Sequence, residues 1–557
     1  MSVECPVPGE LPGDEVVDSR ADGGITAGGA DGKDGARSAT AGSRKTSLSS
    51  RGARALVPFS PYINAVNKAK EEPYSEKTPD GYFLMAQAET VLTFDLIHEK
   101  IKSCREVPST IGLYGNFRGG QRLRQAIANM MQRTFMGVDV DPLHICISSG
   151  VTAVLDLFFF ATCSAGEGCF IPAPYFPAFD NDMSIRNEVI PIPIQPRDTR
   201  SYIPTTEEME EAFTAAQARG IRPRVMLLTN PGNPLGTLYP EATLKELLLW
   251  AINHELHVLS DEIYANSKFG SSASEFVSIE KVAGHLVAEG RLPQALAEER
   301  VHTAYGMSKD FGMNGFRVGC LHTKNKDLLA FWQNIGMFAA VSNDTQHALS
   351  VMLEDDNFVD SYVSENKRRL KMSYDLLTSA FEAAGMQYQP ACAAMFCWLD
   401  LRAILAHPTF EAERLLWREI LDSCKIVITP GEACHYGEPG FFRVCYAAMP
   451  PEQLSVACAR LAAFWKKKVA ERAVNGQEES GQGENGQGEK VQELTGKAEN
   501  GQGADGERRD GEGKEEAEKE GEGEGVNETH ETSQKEGGVE VGALSRKRKA
   551  EGDPGDA

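Results

Sequence analysis

Short apolar runs alternate with stretches of helical periodicity between about residues 144 and 322. The runs are His144–Ser148, Cys169–Pro172, Val189–Ile194, Val225–Thr229, His257–Ser260 and Val318–His322. Runs of this length, bounded by turn residues, read as strands buried on both faces. Strands separated by helices need crossover connections, which make neighbours parallel and cover the sheet on both sides. The expected fold class is therefore α/β, a three-layer, mostly parallel sheet. After about Asn343 the pattern turns to long amphipathic helices, Asn357–Ala384 and Glu411–Cys424, with few strands, as in a smaller α+β domain. The segment Leu56–Lys102 precedes the first sheet strand and is expected to pack on that same lobe.

The ends of the chain lack this patterning. Residues 1–54 are rich in Gly, Ala, Ser, Asp and Arg without an aromatic, and from about Ala470 the chain becomes rich in Gly, Glu and Gln. Neither end buries enough apolar surface to offset its ordering entropy, so both are expected to be disordered. The resulting division is a tail over 1–54, an N-terminal part of the small domain over 55–112, a large domain over 113–343, a small C-terminal domain over 344–469 and an acidic tail over 470–557. Arg546-Lys547-Arg548-Lys549 closes that tail and could act as a nuclear-import signal or carry no function.

The charge follows the same division. Of the net −23 carried by 557 residues, residues 470–557 hold −12, with 24 acidic and 12 basic side chains. An acidic chain without a basic stripe argues against nucleic-acid binding, because duplex affinity comes largely from Lys and Arg neutralising phosphates. The most apolar run, near Val154–Ala161, falls short of the ~18 residues of a membrane span, and no secretory leader is evident. These features fit a cytoplasmic protein that contacts neither nucleic acid nor membrane. Twelve cysteines without a C-x-x-C pair indicate neither a disulfide framework nor a metal site.

The segment Ala304–Gly319 is the richest in chemistry. Lys309 stands between a strand end and a Gly-rich turn, and Arg317 follows eight residues later. A lysine so placed can hold an aldehyde cofactor as a Schiff base while the guanidinium takes its phosphate. Alone, the pair reads more readily as a surface lysine and a loop arginine. Asp261, in Ser260-Asp261-Glu262-Ile263-Tyr264, falls at a strand's carboxyl end, where open α/β sheets bind ligands. There it can pair with a protonated pyridine nitrogen, with Tyr264 spaced to reach the ring oxygen. Thr229–Gly236 ends another strand in Asn-Pro turns that fix an amide at Asn233. Ser149-Gly150-Val151-Thr152 opens a helix, giving N–H groups and a hydroxyl for a phosphate.

Taken together, these motifs resemble the fold-type I pyridoxal-phosphate enzymes of aminotransferase class I/II, and among them the branch similar to 1-aminocyclopropane-1-carboxylate (ACC) synthase. The resemblance covers about residues 60–465 and includes Pro172–Asp180, Phe396–Arg402 and Glu438–Cys445. It implies pyridoxal 5′-phosphate as cofactor, an α-amino acid as substrate and a homodimer. It implies Lys309 as Schiff-base lysine and general base, Asp261 on the pyridine nitrogen, and Asn233 and Tyr264 on the ring oxygen. Tyr175 would stack on the ring, Val151, Thr152, Ser308 and Arg317 would hold the phosphate, Arg443 would clamp the substrate carboxylate, and Glu89 would help recognise the substrate.

Three positions depart from the family pattern: Gly306 replaces a phosphate-binding serine, Thr90 an asparagine, and Phe117 a tyrosine that reaches the neighbouring subunit's site, with Tyr114 nearby. Three functions stay open on the sequence alone. They are an enzyme of aminotransferase type in the broad sense, a true ACC synthase or related C–S lyase acting on S-adenosylmethionine, and a catalytically retired scaffold.

Overall fold

The computed structural model describes residues 46–56, 61–270 and 275–481. Its centre is a seven-stranded sheet made of β1 (Ile145–Ser148), β2 (Gly168–Pro172), β3 (Ile190–Ile194), β4 (Pro223–Thr229), β5 (His257–Asp261), β6 (Val301–Gly306) and β7 (Gly319–Thr323). The order is β1-β7-β6-β5-β4-β2-β3, and all neighbours are parallel except those of β7, which is antiparallel to both β1 and β6. The mostly parallel, three-layer reading holds, with β7 the single reversed strand.

Alternation along the strands explains the layers. In β4, Val225 and Leu227 join the core that contains Val154 and Leu155 of the helix Val151–Thr162, whereas Met226 and Leu228 join the core of Leu244 and Leu248 of the helix Glu241–Asn253. Both sets are fully buried. Each such side chain contributes ~1.5–3 kcal/mol relative to exposure, so a polar substitution on either face is costly.

β6 lies outside the six apolar runs of the sequence because it carries polar residues in a wholly buried strand. His302 Nδ1 is 2.8 Å from Thr323 Oγ1 and His302 Nε2 is 3.1 Å from His257 Nδ1. Burial holds both imidazoles below their usual range, His257 down to about 4, so the core contains neutral rings rather than charges.

A four-stranded antiparallel sheet follows, in the order Thr429–Pro430, Phe441–Cys445, Phe396–Asp400, Gln387–Gln389. Two sequence motifs far apart thus become neighbouring strands, with Arg443 opposite Trp398. The long helices are Asp356–Ala384 and Phe410–Cys424. Phe83–Leu84 pairs in parallel with Ile426–Val427, and the Cys445 N–H donates to Met85 O at 2.8 Å, which carries residues 85–91 across to the large sheet.

At the ends, Ser50–Arg54 forms one short helix capped by Ser49, and the helix Pro451–Gly481 continues beyond position 469, where the folded part was expected to stop. The rest of both expected tails, with the basic tetrad, lies outside the described residues. No described helix is long and apolar enough to cross a membrane.

Candidate active site

The carboxyl ends of the parallel strands converge on one open cavity, whose lining includes Asp261, Asn233, Tyr264, Ser308, Lys309 and Arg317. β6 ends at Gly306, so Lys309 lies just beyond it, beside the last residue of β5, Asp261. The Lys309 ammonium donates to Ala88 O at 2.6 Å. Removal from water lowers its pKa to about 8, with Arg443 adding to the effect and Cys445, Glu89 and Asp261 opposing it. Asp261 is buried, accepts the Ile263 N–H at 3.3 Å, and is pushed up to about 7 by burial. Among the described residues no ion pair reaches it.

At the other side stands Arg443, a guanidinium only 2% exposed. It donates to Asn233 Oδ1 (2.9 Å), Ala86 O (2.5 Å) and Thr429 Oγ1 (3.2 Å), and lies 4.6 Å from the Phe396 ring centre. Among the described residues Nε has no partner and no carboxylate is among the contacts of Arg443. Asn233 also turns Nδ2 toward Tyr264 Oη at 3.5 Å. A buried cation held only by neutral acceptors is set up to receive an anion.

The third side is built at the start of the helix Val151–Thr162. Gly150 precedes it at φ +91°, and a Cβ there would come within 2.3 Å of Arg317 Nη2. Arg317, itself at φ +53°, donates to Asn314 O at 2.9 Å and Ser149 O at 3.4 Å. Val151, Thr152 and Ser308 share this corner. Gly306 fits the same crowding, since a Cβ on it would meet Val151 Cγ2 and Val318 O at 3.0 Å. A serine in its place needs its neighbours to move.

Two of the expected site residues lie off the wall of this cavity. Tyr175 does not line this cavity. Its ring stacks on His435 (4.7 Å between centres), its hydroxyl donates to Asp180 Oδ1 (2.8 Å), and it borders a smaller neighbouring pocket instead. Phe176, one residue on, lines the cavity. Glu89 stands beside the cavity rather than on its wall: Gln87 Nε2 donates to its carboxylate, Cys445 Sγ donates to its carbonyl at 3.6 Å, and its charge acts on Lys309. The Ala86 and Ala88 carbonyls could not be singled out from the sequence, because backbone acceptors carry no residue signature. Asp182 was also missed: it lines the cavity and is pushed up to about 8 by burial, with Asp261 adding to the shift.

A family model described as aminotransferase class I and II matches residues 87–461. The chain belongs to this family. Curated relatives of this aminotransferase-family chain include a 1-aminocyclopropane-1-carboxylate synthase from Nicotiana tabacum, 34% identical over 417 residues that cover 73% of this chain and 83% of the relative. Another, from Malus domestica, is 33% identical over 433 residues, 76% of this chain and 90% of the relative. Among solved structures, Thermus thermophilus aspartate aminotransferase with maleate has a TM-score of 0.60 at 21% identity, covering 75% of this chain and all of that one. An aromatic aminotransferase from Pyrococcus horikoshii has a TM-score of 0.59 at 21% identity, covering 72% and 99%. At such identity these share the fold.

Like its family, this enzyme depends on pyridoxal phosphate. The cavity fits that group on its own terms. It offers an amine with a lowered pKa, a buried carboxylate without a cation, and a glycine-lined corner at a helix start facing an arginine.

Proposed function

We propose that the protein catalyses an aminotransferase-type reaction on an α-amino acid, with Lys309 as both the cofactor's attachment point and the base that works at the substrate Cα. The observation that carries this reading is that Lys309 and Asp261 border one cavity while a buried arginine without a carboxylate waits next to Asn233.

Bound there, pyridoxal phosphate supplies an aldehyde that condenses with amines and a ring that takes up negative charge. The protein's part follows from its own atoms. Arg317, Ser308 and the N–H groups of Val151 and Thr152 bind the phosphate. Asp261 holds a proton on the pyridine nitrogen, an arrangement that restores a charged partner to a carboxylate otherwise disfavoured by burial. Tyr264 and Asn233 Nδ2 orient the ring oxygen, and Phe176 covers one face of the ring. Arg443 binds the substrate carboxylate through the planar fork that a lysine lacks, a pairing worth roughly 1.5–3 kcal/mol. Lys309 Nζ, lowered to about 8, is close enough to neutrality to accept a proton at cellular pH. Glu89, next to Ala88 and the amine, faces the distal part of the substrate.

A homodimer fits the same reading. Leu113 (66% exposed), Tyr114 (97%) and Phe338 (78%) are large apolar groups on adjoining segments, since Asn343 Nδ2 donates to Leu113 O and Gly336 leaves room for Phe117 O, which a Cβ at that position would meet.

The test is to incubate the holoenzyme with a panel of amino acids and, separately, with S-adenosylmethionine, assaying keto acids, ammonia and ACC. Keto acid from at least one amino acid is expected. ACC formed at a comparable rate would assign the ACC synthase reaction instead, and no product from any substrate by a fully loaded protein would support the scaffold.

A further inference from the structure

The loop that leads into the Arg443 strand is tied down at two points by buried or bonded carboxylates. At its neck, Glu413 of the helix Phe410–Cys424 is fully buried. Its Oε1 accepts the Glu432 N–H at 2.9 Å and its Oε2 the Gly440 N–H at 2.6 Å, so one side chain clips both ends of the loop. At its tip, His435 Nε2 is 2.7 Å from Asp180 Oδ2, and His435 O accepts Gln195 Nε2 at 2.6 Å. The Cys434 carbonyl accepts the Tyr175 N–H at 2.9 Å. Asp180 and Tyr175 belong to the large-sheet side, directly next to Phe176 of the cavity wall. His435 holds a left-handed backbone, φ +57° and ψ 28°, which a residue with a Cβ rarely adopts unless its surroundings fix it.

We propose that the loop Gly431–Gly440 is a strap that positions Arg443, with Glu413 and the Asp180–His435 pair as positioning residues that set how tightly the site holds a substrate carboxylate. The strand Phe441–Cys445 begins where the strap ends, and Arg443 is its third residue. The guanidinium reaches Asn233 Oδ1, Ala86 O and Thr429 Oγ1 together only from a correctly placed strand, and a misplacement of about 1 Å is enough to lose ~10²-fold in rate or a comparable share of binding. Tyr175 has its role here. With its hydroxyl on Asp180 and its ring on His435, it is the platform for the strap and not a wall of the cavity.

This proposal rests on Arg443 being the carboxylate anchor, and the experiment separates the two. In the holoenzyme, propionate serves as an unreactive carboxylate, titrated by its effect on the cofactor's absorbance, and hydrogen exchange is followed over residues 431–440. His435→Phe keeps the stacking on Tyr175 and removes the bond to Asp180. It is expected to speed exchange in the strap, weaken propionate by about tenfold and raise KM for the amino acid with kcat little changed. His435→Gln, whose amide N–H can reach Asp180, is expected to recover most of both. Asp180→Ala, made independently, is expected to match His435→Phe. Arg443→Lys is the reference. If it weakens propionate while His435→Phe and Asp180→Ala leave affinity unchanged, the strap is overturned and Arg443 stands. If Arg443→Lys itself leaves propionate binding unchanged, the anchor reading falls and takes the strap's purpose with it.

Discussion

Arg443 Nη1 donates to Asn233 Oδ1 at 2.9 Å, and this hydrogen bond joins the small antiparallel sheet to the turn that follows β4. The same amide points Nδ2 at Tyr264 Oη. Asn233 therefore couples the buried arginine to the Tyr264 hydroxyl, and its orientation is fixed because its oxygen accepts from one and its nitrogen donates to the other.

Asn233→Asp would place a carboxylate against the buried arginine and compete with the substrate for it. KM for the amino acid is expected to rise at least about tenfold, the size of one charge-assisted hydrogen bond. The cofactor's absorbance should shift as well, because the Nδ2 donor is gone. Steady-state kinetics with a parallel spectrum check both, and an unchanged KM would contradict the arrangement.

Asp261 carries a cost in the cofactor-free protein. Its folded pKa, about 7, lies above the unfolded value, so it contributes stability that is fully present below the unfolded pKa and is lost as pH rises through about 7. Asp261→Asn removes that loss. The cofactor-free variant is expected to melt a few degrees higher than wild type at pH 8, at about 1 °C per kcal/mol for a fold of this size, with no advantage near pH 4. Activity of the loaded variant should fall sharply, since an amide cannot hold the ring nitrogen protonated. Equal melting temperatures at pH 8 would count against the buried, unpaired carboxylate.

Phe176 and Tyr175 separate by a simple substitution pair. Phe176→Ala removes the aromatic wall of the cavity and should weaken cofactor binding by about 2–10-fold, the size of an aromatic stacking term. Tyr175→Leu removes the ring on His435 and the hydroxyl on Asp180 and should leave cofactor affinity unchanged. Equilibrium dialysis of the cofactor decides it, and the reverse ranking would return Tyr175 to the ring.

Gly150→Ala tests the phosphate corner. The added Cβ meets Arg317 Nη2 at 2.3 Å and the site has φ +91°, so both the arginine and the helix start must shift. Cofactor affinity is expected to fall by about tenfold or more, while inorganic phosphate loses its ability to compete with the cofactor. Wild-type affinity in this variant would mean that the corner does not hold the phosphate.

The sheet was legible wherever burial selected apolar residues, as in Val225–Thr229 and Val189–Ile194. It was not legible at Val301–Gly306, where His302, bonded to Thr323 and His257, and the buried Thr303 put two polar side chains into the strand and so break the apolar run. Within the site, Lys309, Asp261, Arg317 and Asn233 could be singled out because strand ends and turns confine them to one edge of the sheet. Tyr175 and Phe176 are a different case. Pro172–Ala178 has neither the period of a strand nor that of a helix, so sequence alone does not say which of two adjacent aromatics faces the cavity. Ala86, Ala88 and Asp182 were missed because two act through carbonyls and the third reads as an ordinary acid in the first turn of a short helix.

The most direct measurement is borohydride reduction of the protein loaded with pyridoxal phosphate, followed by peptide mapping. The account predicts a yellow protein that loses its visible band on reduction and carries one phosphopyridoxyl group, on Lys309, with no label in Lys309→Ala. A colourless protein after loading, or a stable label on a different lysine, would contradict it.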